Sequence, residues 1–116
     1  MPGHGERTMV CEQLIEISTT FASRSAADAC ARRLVEVRVA ACVQVDGPVS
    51  SVYRWRSAVE IAEEWRCTCK TTPEREGECL AAITALHDYE TPQLVVTAVA
   101  TTPAYGAWVR ASVSVS

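Results

Sequence analysis

The stretch from Ala40 to Thr72, AACVQVDGPVSSVYRWRSAVEIAEEWRCTCKTT, constrains the fold of this chain more than any other. It holds two strand-like runs, Cys42–Trp55 and Val59–Lys70, that meet at Arg56–Ser57–Ala58. The first carries Val43, Val45, Val49, Val52, Tyr53 and Trp55, and the second Val59, Ile61, Trp65, Cys67, Thr68 and Cys69. β-Branched and aromatic side chains at this density favour strand over helix. Gly47–Pro48 interrupts the first run, and proline cannot donate to a ladder, so a bend is expected there. The outcome is a long bent hairpin with more strand than a small core needs. Surplus strand pairs with something, and a second copy of the same chain is the simplest partner.

The flanking sequence supplies the rest of a small domain. Gln13–Thr20 reads as a strand, and Ser23 suits a helix N-cap. Ala27, Cys30, Leu34 and Val37 then recur at helical spacing to about Arg38. After the hairpin, Thr72–Pro73 opens a second helix, with Cys79, Leu80, Ile83 and Leu86 as its apolar stripe. His87–Pro92 is a loop. Gln93–Ala100 is a further strand, and its near-continuous apolar run predicts a central strand covered on both faces. Ala104–Ser112, after Pro103, forms a short helix holding Tyr105, Trp108 and Val109, and Val113–Ser116 carries no clear signal. The order is β-α-β-β-α-β plus a terminal helix. This is an α+β, ferredoxin-like antiparallel sheet with both main helices on one face, spanning residues 13–112 behind a flexible N-terminal tail of residues 1–12. The tryptophans and tyrosines crowd near the hairpin and the chain end, and an uncovered aromatic face again points to self-association.

At 116 residues, the chain has room for one two-layer core. Its net charge of −3 argues against a nucleic-acid surface. No apolar run approaches the roughly 20 residues of a membrane span. MPGHGERT has no apolar secretory core, so the expected location is cytoplasmic. Six cysteines are too sparse for a disulfide scaffold and mostly fall within apolar patterns, as small buried hydrophobes do. Cys67 and Cys69 share one face of their strand. Core packing accounts for them, and joint binding of a soft metal is the sharper alternative. Two histidines, no serine elbow and no paired catalytic carboxylates give no support for an enzyme. An anion cradle at Arg24 would want a glycine that Thr19–Ser23 lacks.

Several separated motifs resemble the CutA divalent-cation-tolerance family. They are Leu34–Val35 with Ala40–Ala41–Cys42–Val43, Ser51–Val52–Tyr53–Arg54–Trp55, Glu64, and Lys70–Thr71. Leu86–His87–Asp88–Tyr89–Glu90–Thr91–Pro92 and Tyr105–Gly106–Ala107–Trp108 complete the series. The resemblance implies a homotrimer assembled through the hairpins, with Tyr53 and Trp55 at the oligomer interface. It further implies binding of copper or another divalent cation, with no cofactor required. Cys42, Glu64 and His87 are the implied metal ligands, since thiolate, carboxylate and imidazole suit copper or zinc. Lys70, Tyr89 and Trp108 are the candidate residues of a ligand pocket between subunits. A trimeric signalling or scaffold module resembling the PII proteins, with no physiological metal, is the alternative. Gln44, Ser57 and Asp88 depart from the family pattern. Separately, loss of Met1 would expose Pro2–Gly3–His4, whose amine, amides and imidazole form a square-planar set for Cu(II).

Overall fold

The computed structural model describes residues 11–115. Four strands make one antiparallel sheet: β1 (Glu12–Phe21), β2 (Cys42–Trp55), β3 (Ala58–Thr71) and β4 (Val95–Thr101), in the order β2-β3-β1-β4. Helices α1 (Arg24–Glu36), α2 (Glu76–Leu86) and α3 (Pro103–Ser112) complete it, with a single 3-10 turn at Pro73–Arg75 leading into α2. The expected α+β, ferredoxin-like order is therefore the observed one.

Strand β1 lies between two neighbours, and its period of two sorts its side chains onto opposite faces. Ile15, Ile17 and Phe21 meet α1 and α2 in the main core, with Ala27, Cys30, Leu34, Cys67, Cys69, Cys79 and Ile83. Leu14 points the other way and joins Ala41, Val109 and Val113 in a smaller core beneath α3. Thus α3 closes one end of the face that α1 and α2 leave open. The expected tail-end residue Val113 is part of that core, buried to 4% exposure. Thr19 faces the main core with a hydroxyl that finds no hydrogen-bond partner among the described residues. A buried unsatisfied hydroxyl is costly, so Thr19→Val is expected to raise the unfolding free energy by about 1 kcal/mol, read from urea unfolding at a fixed chain concentration.

Local signals set the helix ends. The Ser23 side chain accepts the Ala26 amide at 3.2 Å and starts α1. The helix stops at Glu36, two residues short of expectation, because Arg38 turns to a positive φ of 63°. The Arg38 carbonyl then accepts two guanidinium bonds from Arg75, at 3.2 and 2.9 Å, which ties the α1 exit to the α2 entry.

Two expectations are corrected. The last strand is an edge strand and not a central one: β4 pairs only with β1, and Val95 and Val96 are half exposed. An apolar run reports burial pressure, not position in a sheet, so its face can equally await a partner. Leu86 does not join the apolar stripe of α2, since it sits at the helix end, 43% exposed.

The hairpin keeps pairing through the expected interruption. β2 is one strand from Cys42 to Trp55, and the bend appears as a register shift against β3 between Asp46 and Val49. Beyond it the hairpin projects, giving the molecule an extent of 59 × 36 × 20 Å. Trp55 pairs with Ala58 across a two-residue tip in which Arg56 and Ser57 have φ of 50° and 72°. Tips of this kind need positive φ at both positions, which favours glycine over serine. Ser57→Gly is therefore expected to stabilise the chain by about 0.5–1 kcal/mol, measured as a higher denaturant midpoint with unchanged slope.

Candidate functional site

At the root of the projecting hairpin, three elements bring polar groups together. Thr20 is the penultimate residue of β1, Glu64 lies on β3 opposite Val49, and the loop after α2 supplies His87 and Tyr89. The Glu64 carboxylate is buried and accepts both the Tyr89 hydroxyl, at 2.9 Å, and the Thr20 hydroxyl, at 3.3 Å. Loss of water around the phenol and its bond to that carboxylate push the Tyr89 hydroxyl well above the ordinary tyrosine range. It remains a proton donor at neutral pH.

His87 is held as firmly. Its ring stacks on Phe21 with centroids 4.2 Å apart and is wholly shielded from solvent. The Tyr89 amide donates to Nδ1 at 3.2 Å, so Nε2 carries the proton and donates to the Thr20 carbonyl at 2.7 Å. Both ring nitrogens are engaged within the subunit. Asp88, which departs from the family pattern, reaches only to 3.9 Å from Nδ1 and is largely exposed.

A cleft of about 340 Å³ opens beside this network, walled by Tyr53, Trp55 and Tyr89 and edged by Asp88 and Glu90. It continues into a shallower space of about 550 Å³ that reaches Glu64, Thr20 and Gln93. Arg56 covers the Trp55 ring at 5.3 Å and approaches Glu90 at 3.6 Å, so the hairpin tip leans over the cleft mouth.

The implied site residues are only partly brought together in one subunit. Glu64 and His87 share the Thr20–Tyr89 network. Cys42 does not join them, since it pairs with Lys70, six residues along β3 from Glu64, about 20 Å at a strand rise of ~3.3 Å. Among the described residues, no three of His, Cys, Asp or Glu are placed to hold one ion. A complete site at Cys42, Glu64 and His87 is thus not formed within a single chain. Of the pocket residues, Tyr89 lines the cleft. The Lys70 ammonium is held by Glu16 and Gln44, each at 3.2 Å, on the open sheet face. Trp108 lines a separate groove of about 330 Å³ with Val35, Arg38 and Ser112. Tyr53 and Trp55 are 44% and 43% exposed on the cleft wall. Pro2–Gly3–His4 lies outside the described residues.

Sequence reasoning missed Thr20 and the stacking partner Phe21. Alternation along β1 puts Thr20 on the polar face, but nothing local says that it meets a residue 44 positions away.

This arrangement of motifs on a hairpin-extended sheet matches known proteins along most of the chain. Residues 15–112 match the family model described as CutA1 divalent ion tolerance protein. The chain belongs to the CutA1 family. The divalent-cation tolerance protein CutA of Thermotoga maritima is 33% identical over 101 residues, covering 86% of this chain and 99% of its own. The protein of the same description from Thermus thermophilus is 35% identical over 81 residues, covering 70% and 79%. Among solved structures, CutA from Synechococcus elongatus superposes with a TM-score of 0.86 at 30% identity, covering 91% of this chain and 96% of that one. The CutA1 family is thus described by a tolerance to divalent ions and not by a reaction.

Proposed function

We propose that this chain serves divalent-cation tolerance as a homotrimer that binds copper or another divalent cation at sites shared between subunits. The observation that carries the reading is the outer hairpin. Val52, Val59 and Ile61 stand there 65%, 62% and 73% exposed, beyond the reach of either core. Val52 and Ile61 are directly paired across the hairpin, so the apolar surface is contiguous. Exposed apolar surface of this kind marks an association site, and half-exposed Tyr53 and Trp55 extend it toward the cleft. In this reading the remaining ligands of a Cys42 site would come from another subunit, since Cys42 stands apart from Glu64 and His87 within one.

A trimeric signalling or scaffold module without a physiological metal is the second reading. It is favoured by His87, both of whose ring nitrogens are engaged by Thr20 and Tyr89, and by Glu64, whose Oε2 already accepts both hydroxyls. Titration of tag-free protein with Cu(II) and Zn(II), with solution mass recorded in parallel, separates the two. Stoichiometric binding by a trimer, lost in Cys42→Ser or His87→Ala, is the expected result. An intact trimer without tight binding hands the case to the second reading. Loss only in His4→Ala would move the copper site to the N-terminus.

A further inference from the structure

The cleft at the hairpin root combines aromatic walls with an acidic edge. Tyr53 and Trp55 are two apart on β2 and so stand on one face of the hairpin. Glu60 is the cross-strand neighbour of Tyr53 on that same face. The loop after α2 adds Tyr89 as a third wall, flanked in sequence by Asp88 and Glu90. Tyr89 is fixed from two sides: its hydroxyl is held by Glu64 at 2.9 Å, and its ring centroid lies 4.8 Å from that of His87. The space between these groups is about 340 Å³, within the range of small-molecule sites.

The chain itself shows what such groups receive. The Arg56 guanidinium lies over the Trp55 ring, 5.3 Å from its centroid, and 3.6 Å from the Glu90 carboxylate. A cation is thus already shared between one ring and one carboxylate of the cleft.

We propose that this cleft binds a small organic cation of the quaternary ammonium class, caged by Tyr53, Trp55 and Tyr89 and attracted by Asp88 and Glu90. The proposal goes beyond the cation-tolerance reading, and Cys42, Glu64 and His87 are not among the residues that line this cleft.

The composition of the walls selects the ligand class. Aromatic faces attract cations through their negative quadrupole, and cages of two or three rings suit alkylated ammonium groups. A primary ammonium would bring three N–H donors against rings, and donors left unsatisfied are costly. A quaternary ammonium carries its charge inside a shell of methyl groups and leaves no donor unpaired. A bare divalent ion needs several oxygen ligands, and among the described residues no three of His, Cys, Asp or Glu are placed to hold one. The side chains of Asp88 and Glu90 are 80% and 71% exposed, so they attract the ligand without themselves being stripped of water.

The outer apolar surface does not compete for this space. Val52 and Ile61 pair across the hairpin one residue out of phase with Tyr53, as do Arg54 and Val59, and so face the opposite way. Assembly through that face leaves the cleft walls free. Arg56 is instead the built-in competitor, because an entering cation takes over its place on Trp55 and Glu90.

The test uses the full chain with choline as the probe. Saturation transfer to the choline methyl protons reads binding. The Trp55 indole N–H signal, assigned by its loss in Trp55→Phe, locates it, and solution mass is recorded for every variant. The expected result is saturable binding that moves the Trp55 signal, with the uncharged carbon analogue dimethylbutanol about 3–30-fold weaker. Trp55→Leu keeps apolar bulk but removes the ring, and should weaken choline by a similar factor. Joint Asp88→Asn and Glu90→Gln should weaken it about 3–10-fold, whereas Arg56→Ala should tighten it about 2–5-fold. These last variants spare the walls and the outer face, so they decide the matter even where a ring variant fails to fold or assemble. Equal binding of dimethylbutanol, no saturable choline binding, an unmoved Trp55 signal, or undiminished binding in the doubly neutralised chain would each overturn the assignment.

Discussion

Gly47→Ala is expected to lower the unfolding free energy by about 3–5 kcal/mol, a large share of the stability of a domain this size. Gly47 sits at the register shift of β2 with φ of 152°, where L side chains are strained. A Cβ there would stand 2.7 Å from Trp65 Cδ1 and 2.9 Å from the Glu64 carbonyl oxygen. The ring is partly packed into the main core, and the carbonyl belongs to β3, so neither can yield without moving the strand. Backbone strain contributes about 1–3 kcal/mol and overpacking a similar amount. Denaturant unfolding at a fixed chain concentration measures it, because oligomer stability depends on concentration. A loss below about 1 kcal/mol would mean that the bend relaxes easily and does not hold Glu64 in place.

Ile61→Asp is expected to leave folded monomers in place of the proposed homotrimer. Ile61 is 73% exposed within the subunit, so its replacement should change the fold of one chain by no more than about 0.5 kcal/mol. In an assembly that covers it, the same carboxylate would be buried without a counter-charge, costing about 3–5 kcal/mol. That weakens association by more than about 100-fold, before the loss of its apolar contact is counted. Light scattering reads the mass, and far-UV circular dichroism reads the fold. An unaltered trimer would place the interface elsewhere and turn attention to Tyr53→Ala and Trp55→Ala, each of which removes aromatic area from the cleft wall.

These two sites differ in how openly the sequence declares them. Gly47–Pro48 inside an apolar run announces an interruption, and the interruption is where it was expected. That Trp65 and the Glu64 carbonyl fill the space opposite Gly47 depends on register across two strands. Ile61 is an ordinary strand residue in the sequence, and its exposure follows from the hairpin outrunning the helices that cover its base. The edge position of β4 shows the same limit. Val95, Val96 and Val99 look like a covered strand because apolar density is all that a sequence displays. The candidate metal ligands were legible only as residue types in separated motifs. Whether Cys42 stands beside Glu64 or some 20 Å away is a matter of pairing.

The order of elements, the helix start at Ser23 and the hairpin with its tip were legible in the sequence. Each depends on short-range rules, namely side-chain periodicity, capping and turn stereochemistry, that act within a few residues. Only the packed fold shows that the Thr20 and Tyr89 hydroxyls meet the Glu64 carboxylate, that His87 stacks on Phe21, and that Cys69 and Cys79 enter one core. Those contacts join separate elements. They exist only once sheet register and helix packing have been settled together, and a one-residue slip in β3 would send Glu64 and Cys69 to opposite faces from those they occupy.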